Sequence, residues 1–316
     1  MTLGMDISVW MHEMGHGFGL PHSSGPYTGT YDSNWDVMSG GGLCSPPNST
    51  YGCVGVHTIS YHKDRLAWIP SEQKYVLSPV ESTTITIERL AQPTSSGHYL
   101  MAVIPIGGST TQFYTVESRR FAGYDSQIPG EAIVIHRVDT TRGDRLAQVV
   151  DADGNGNPND AGAMWVVGET FTDPANNITV SVNSASATAF EVTISTVDIP
   201  IGEAVDNTSL IWTTGGNANW FGQTGVSYEG GDSARSGAIT HSQTTWVQTT
   251  VTGPGTLKFY WRVSSEPGYD FLRFSIDEAE QITISGTVDW QQKTYSVSTG
   301  SHTLKWVYVK DGSVST

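Results

Sequence analysis

The run His12-Glu13-Met14-Gly15-His16-Gly17-Phe18-Gly19-Leu20-Pro21-His22 constrains this chain more than any other segment. It fits H-E-x-x-H-x-x-G-x-x-H at every specified position. On a helix that turns about 100° per residue, His12 and His16 lie about 40° apart, so both imidazoles look toward one point. The helix is expected from about Asp6, a favourable N-cap residue, to Phe18. Met5 and Val9 share the histidine side. Ile7, Trp10, Met11, Met14 and Phe18 fall on the opposite side, which is expected to form a buried back face. Gly19 suits the left-handed residue that ends a helix, and Pro21 prevents continuation. The chain then reverses, and His22 can approach the same point from a new direction.

Three neutral imidazoles leave a tetrahedral zinc ion one open position, the arrangement of catalytic sites rather than closed structural ones. His12, His16 and His22 are therefore the expected zinc ligands. In such a setting the pKa of a bound water falls to about 7. Glu13, beside a ligand but rotated by about 100°, is the expected general base and later general acid. A lone HExxH is often an ordinary exposed helix. The full pattern would arise by chance in a chain of this length with a probability on the order of 10⁻⁵. Gly15 and Gly17 each cost about 1 kcal/mol relative to Ala in a helix interior. Zinc, contributing about 10 kcal/mol or more in small structural sites, outweighs that.

A second, shorter helix is expected over 58–68, ending before Pro70. Alternating strands then take over, for example at 84–87, 112–116, 132–136 and 178–182, with Gly, Pro or Asn turns between them. Residues 197–207 read as a linker, followed by strands near 256–263, 272–276 and 302–309. The expected architecture is a small α-containing segment (1–75) followed by two mainly antiparallel β-sandwich modules (76–198 and 199–316). The chain starts about one turn before the histidine helix, so a further upstream portion is expected. The last strand has no obvious closing partner, and a cut C-terminus is expected too.

Lys and Arg number 16 against 31 Asp and Glu, a net charge of −15. That balance argues against nucleic acid or an anionic membrane surface as the main partner. No stretch approaches the ~20 apolar residues of a membrane span, and no signal-peptide pattern is visible. Acidity with abundant Gly, Ser, Thr and Asn fits a secreted, mostly β protein and leaves carboxylates available for calcium. The two cysteines, Cys44 and Cys53, bracket a loop containing Pro46, Pro47 and Gly52. They are either unrelated thiols or one local disulfide of an oxidising compartment, which would contribute roughly 2–3 kcal/mol.

With the histidine run in view, the segment resembles the metzincin metalloproteases. Their methionine turn corresponds to Asn34-Trp35-Asp36-Val37-Met38-Ser39-Gly40-Gly41, which makes Met38 the turn residue supporting the site. More narrowly, the chain is similar to bacterial secreted proteases of the immune inhibitor A-like group. His16-Gly17-Phe18-Gly19-Leu20-Pro21, Phe113-Tyr114-Thr115-Val116-Glu117-Ser118-Arg119 and the run from Pro129 to Asp139 carry that likeness. The resemblance implies a secreted, multidomain zinc endopeptidase acting on extracellular protein or peptide substrates. In close relatives of immune inhibitor A the third ligand is Asp, where this chain has His22. No Tyr follows Met38 closely, so the tyrosine with which some metzincins assist the transition state has no counterpart there. Metzincins bind peptide along an edge strand that precedes the zinc helix, so this chain is expected to bind zinc yet cleave peptides poorly. One rival is an extracellular binding or adhesion protein with a vestigial zinc segment. Retention of Glu13, which zinc binding alone does not require, counts against it. The other rival is a zinc hydrolase acting on something other than peptides, against which the methionine turn speaks.

Asp151-Ala152-Asp153-Gly154-Asn155-Gly156-Asn157 matches the first half of an EF-hand loop, with Gly162 at the twelfth position and Asp160 able to supply the missing carboxylate. Asp151, Asp153, Asn155 and Asp160 form a candidate calcium site, although Asp-Gly and Asn-Gly runs are also ordinary turns. In the last module, Trp246, Phe259, Trp261, Phe271, Phe274, Trp290 and Trp306 could stack a carbohydrate or other cell-surface ligand. Same-face pairs such as Phe259 with Trp261 are what a sandwich core requires, and the core is the favoured reading.

Overall fold

The structure is a computed structural model and describes residues 7–40, 50, 52–78 and 81–313. It divides into two compact units. The first comprises Met1–Ile106, Thr110–Thr172 and Ile178–Thr196; the second comprises Gly107–Ser109, Asp173–Asn177 and Val197–Thr316. Both are mostly β-sheet, with several antiparallel sheets. Among the described residues no helix is long and apolar enough to cross a membrane.

The first unit contains helices α1 (Ile7–Gly17) and α2 (Ser60–Arg65). Its strands are β1 (Ser23–Ser24), β2 (Lys74–Val76), β3 (Ser82–Glu88), β4 (Met101–Pro105), β5 (Gln112–Arg119), β6 (Ala132–Asp139), β7 (Ala147–Val149), β8 (Thr170–Asp173), β9 (Ile178–Ala185) and β10 (Ala189–Thr196). One sheet has the order β1-β7-β6-β5-β4-β2, with parallel pairing only at its two edges. The other has the order β3-β10-β9-β8. The two sheets share one apolar core, in which Val116, Ile133 and Ile135 meet Ile87, Val180 and Val192.

The opposite face of the large sheet is covered as well. Val134 packs with Trp35 and Val56, and Val138 packs with Ile59 and Tyr61. This double coverage explains why Ala132-Ile133-Val134-Ile135-His136 is buried without a break. A strand covered on both faces needs a continuous apolar run rather than alternation.

Two expectations need correction here. The division at 75/76 is not observed, because Ser23 and Ser24 pair with Ala147 and Gln148, and residues 74–76 pair with 101–103 in the same sheet. The back face of α1 is also not buried. Trp10, Met14 and Phe18 are 55%, 57% and 60% exposed, whereas Ser8 and Gly15 are buried. The helix packs through Ser8, Gly15 and the half-buried Met11: the Ser8 N–H donates to the Cys53 carbonyl at 3.0 Å, Gly15 lies against Met38, and Met11 packs on Leu20, Val37 and Met38. The second helix is shorter than expected, Ser60–Arg65.

In the second unit, the expected linker includes a one-turn helix, α3 (Ile201–Ala204), with Ala204 buried. Strands β11 (Trp212–Gly216), β14 (Thr244–Ser264), β15 (Phe271–Ile276), β16 (Ala279–Ile284) and β17 (Thr287–Val309) follow, together with the ribbon strands β12 (Phe221–Gln223) and β13 (Ser233–Arg235). The five-stranded sheet has the order β11-β14-β17-β15-β16 and is antiparallel throughout. Trp261, Phe274 and Trp306 are 4%, 0% and 9% exposed and form its core with Val247, Val263, Leu272 and Leu304. Those three aromatics are therefore interior and cannot stack a ligand.

Candidate metal centre

Helix α1 carries His12 and His16 one turn apart and is stopped just beyond its end by Gly19, whose φ of 82° is the left-handed conformation a Cβ would oppose. The reversal brings His22 back. His16 Nε2 lies 3.1 Å from His12 Nε2 and 3.1 Å from His22 Nε2. The other ring nitrogen of each imidazole is committed elsewhere. His12 Nδ1 donates to the Val37 carbonyl at 2.8 Å, and His16 Nδ1 donates to the Leu20 carbonyl at 2.9 Å. His22 Nδ1 donates to the Asp144 carboxylate at 2.9 Å.

These partners settle the tautomers. A nitrogen facing a carbonyl or carboxylate oxygen carries the proton, so in the neutral ring each Nε2 presents a lone pair. Three lone pairs so close together repel unless a cation lies between them. Ligands at 2.0–2.1 Å around a tetrahedral zinc stand about 3.3 Å apart, close to the spacing found. The donor set and its outer hydrogen bonds fit a zinc ion.

Glu13 is exposed and lines an open cleft with Ser8, Val9, His12, Tyr31 and Val37. Met38 is fully buried beneath the helix. A Cβ at residue 15 would collide with its Sδ. Glycine at position 15 lets the helix rest directly on the methionine, and the preceding carbonyl, that of Val37, orients His12.

Two residues of the site were not expected. Asp144 lies 122 positions from His22, and its carboxylate also accepts the His22 backbone N–H at 3.2 Å. A single Asp in a Gly- and Arg-containing turn offers no local signal. Tyr31, on the loop between the third histidine and the methionine turn, places its Oη 3.3 Å from His22 Nε2 and its ring 5.4 Å and 5.2 Å from the His12 and His22 rings. It stands before Met38, whereas the resemblance points to a position after it.

Buried charge fastens this platform to the large sheet. Asp36 accepts from the Met38 N–H at 3.1 Å and from Ser23 Oγ at 2.6 Å, and it pairs with His62 Nδ1 at 2.9 Å. Burial alone would raise its carboxyl. The His62 charge and these hydrogen bonds outweigh burial and hold it well below the usual carboxylate range. From β5, Arg119 donates to the Trp35 carbonyl at 2.7 Å, to Glu117 at 2.9 Å and to both oxygens of Asp125 at 3.0 and 2.8 Å. Glu117 is likewise pushed up by burial but brought below its ordinary value by Arg119. His136, buried beside them, is pushed down, chiefly by burial.

Of the candidate calcium residues, Asp151, Asp153 and Asp160 bring carboxylate oxygens within 4.8 Å of one another. Asp151 Oδ1 is buried without a hydrogen bond, and Gly162 lacks a Cβ where one would strike that oxygen. The Asn155 side-chain NH2 donates to Asp153 at 3.0 Å and to Asp160 at 2.8 Å, and its Oδ1 accepts the Asn157 N–H at 2.8 Å. Cys44 lies outside the described residues, and with it the expected pairing to the buried Cys53. Asp6, expected to cap α1, lies outside them too. No protein-family model matches this chain, and no curated protein matches it.

Proposed function

We propose that this chain carries the metal-binding and catalytic residues of a secreted zinc-dependent endopeptidase of metzincin type, acting on extracellular protein. The observation that carries the reading is the arrangement of His12, His16 and His22. Each gives its Nδ1 proton to a separate oxygen and turns its Nε2 lone pair to a shared point. Zinc bound there supplies a Lewis acid that polarises the scissile carbonyl and acidifies water.

The chain's own residues do the rest. Glu13, exposed in the same cleft as His12, takes a proton on its carboxylate from the attacking water and passes it to the leaving nitrogen. Tyr31 Oη, beside His22, donates a hydrogen bond to the carbonyl oxygen as negative charge develops on it. Asp144 holds the tautomer and orientation of His22, and the Val37 carbonyl does the same for His12.

Metal analysis and peptide hydrolysis test this together. One zinc per chain is expected, lost in His12→Ala and kept in Glu13→Ala; in a chain extended upstream to include a substrate-binding strand, peptide hydrolysis falls about 10²–10⁴-fold in Glu13→Ala. A chain that takes up no zinc refutes the proposal. Equal hydrolysis by Glu13→Ala removes that residue from the mechanism and leaves the binding-protein reading standing.

A further inference from the structure

We infer that the second unit holds a calcium ion on Glu266, Asp270 and Asp311, between the loop that precedes β15 and the residues that follow β17. Each of the three offers a carboxylate oxygen, and these oxygens lie within 4.8 Å of one another. That fits inside a single calcium shell, which is about 4.6–5.2 Å across.

An acidic cluster alone would carry little, because such clusters occur without ions. Burial adds an independent observation. Asp270 is fully buried, and its Oδ2 accepts no hydrogen bond. Glu266 Oε2 is also a buried atom without a hydrogen-bond partner. Buried carboxylate oxygens left without donors are strongly unfavourable unless a cation faces them. One ammonium stands near: Lys310 Nζ, 3.9 Å from Asp270 Oδ2 and beyond hydrogen-bond reach. Among the described residues no other ion pair engages the three acids. Three carboxylates against one ammonium leave two negative charges, which one divalent cation balances. An all-oxygen donor set without His or Cys selects a hard ion.

The backbone holds the acids in place without help from the ion. Ser265 Oγ donates to the Asp270 carbonyl at 3.0 Å and accepts the Gly286 N–H at 3.0 Å. The Asp270 N–H donates to the Glu266 carbonyl at 3.1 Å, closing the turn. The Asp311 N–H donates to Asp270 Oδ1 at 3.1 Å, which leaves Oδ2 for the metal. Calcium bound here clamps the chain leaving β17 onto the turn that starts β15.

The test is a CaCl2 titration of the zinc-saturated full chain, followed by calorimetry and thermal unfolding, alongside Asp270→Asn, Glu266→Gln and Asp153→Asn. Wild type is expected to gain roughly 5–10 °C in Tm at a hundredfold excess of calcium over Kd. Asp270→Asn loses that gain and unfolds in chelator no earlier than wild type, since an unbalanced buried charge has been removed. Glu266→Gln weakens calcium about tenfold or more, and it decides the matter should Asp270→Asn fail to fold. Asp153→Asn, in the other acidic loop, keeps the gain. Calcium that leaves the wild-type Tm unchanged, an equal gain in Asp270→Asn and Glu266→Gln, or a gain abolished by Asp153→Asn overturns the inference. None of these outcomes bears on the histidine site.

Discussion

The two faces of β5 and β6 differ in kind, although they alternate along the same strands. One face presents Tyr114, Val116, Ile133 and Ile135 to a dry sandwich core. The other presents Thr115, Glu117, Arg119 and His136, all fully buried, toward the platform of Trp35, Asp36 and His62. Apolar burial is non-directional and stabilises whatever shape fills the space. Hydrogen-bonded charge specifies distance and angle, and is strongly destabilising when half broken. The dry face therefore supplies stability, while the charged face sets the position of the backbone that orients His12.

Substitutions on the two faces sharpen or break that division. Arg119→Leu leaves Glu117 and Asp125 buried without their partner and should destabilise by about 3–5 kcal/mol. Because the Trp35 carbonyl also loses its donor, zinc affinity of the folded fraction should fall, as read by denaturant unfolding and competitive zinc titration. Ile135→Ala should cost about 2–5 kcal/mol with zinc affinity unchanged, and a matching loss of affinity there would erase the distinction. Asp144→Asn tests the site's own geometry. Its carboxylate is 54% exposed, so stability should hardly move while zinc affinity falls about 10–100-fold.

Acid gives a smaller effect, confined to the charged side. His57 is pushed down to about 4, chiefly by burial and then by Lys63, and His136 is pushed down as well. A histidine with a lowered folded-state pKa binds its proton more readily when unfolded. Stability is therefore complete above about pH 6.5 and declines as pH falls from there toward 4. A zinc-free thermal scan should show a loss on the order of 1–2 kcal/mol at pH 5, and His57→Phe should flatten the curve.

Spacing alone made the convergence of His12, His16 and His22 readable, because helix geometry and a glycine stop are local matters. The strands over 84–87, 112–116, 178–182, 256–263, 272–276 and 302–309 were legible from their two-residue period and turn residues, whereas the strand over 132–136 opens on an unbroken apolar run and β4, β10 and β16 were not singled out. The orientation of α1 was not legible. Amphipathicity arguments assume that apolar residues face inward, whereas this helix packs through Ser8, Met11 and Gly15 and leaves Trp10, Met14 and Phe18 outward. Asp144 escaped because its place depends on a chain crossing 122 positions away, and Tyr31 because a loop conformation rather than a residue spacing turns it toward the histidines. The 75/76 division failed for the first of these reasons: the Ser23–Ala147 pairing joins segments that look independent in sequence. The buried charges of β5 were visible as letters, but nothing local distinguishes an internal Glu117–Arg119 pair from a solvated one.

The contact between Gly15 and Met38 inverts the usual map of mutational tolerance on a helix. The bulky positions 10, 14 and 18 face away from the ligands and can accept a label, a charge or a linker without disturbing the rings of His12 and His16. Position 15, where there is no side chain at all, is the tight one: an added Cβ would meet the buried sulfur of Met38, so that either the methionine or the helix carrying both histidines must shift.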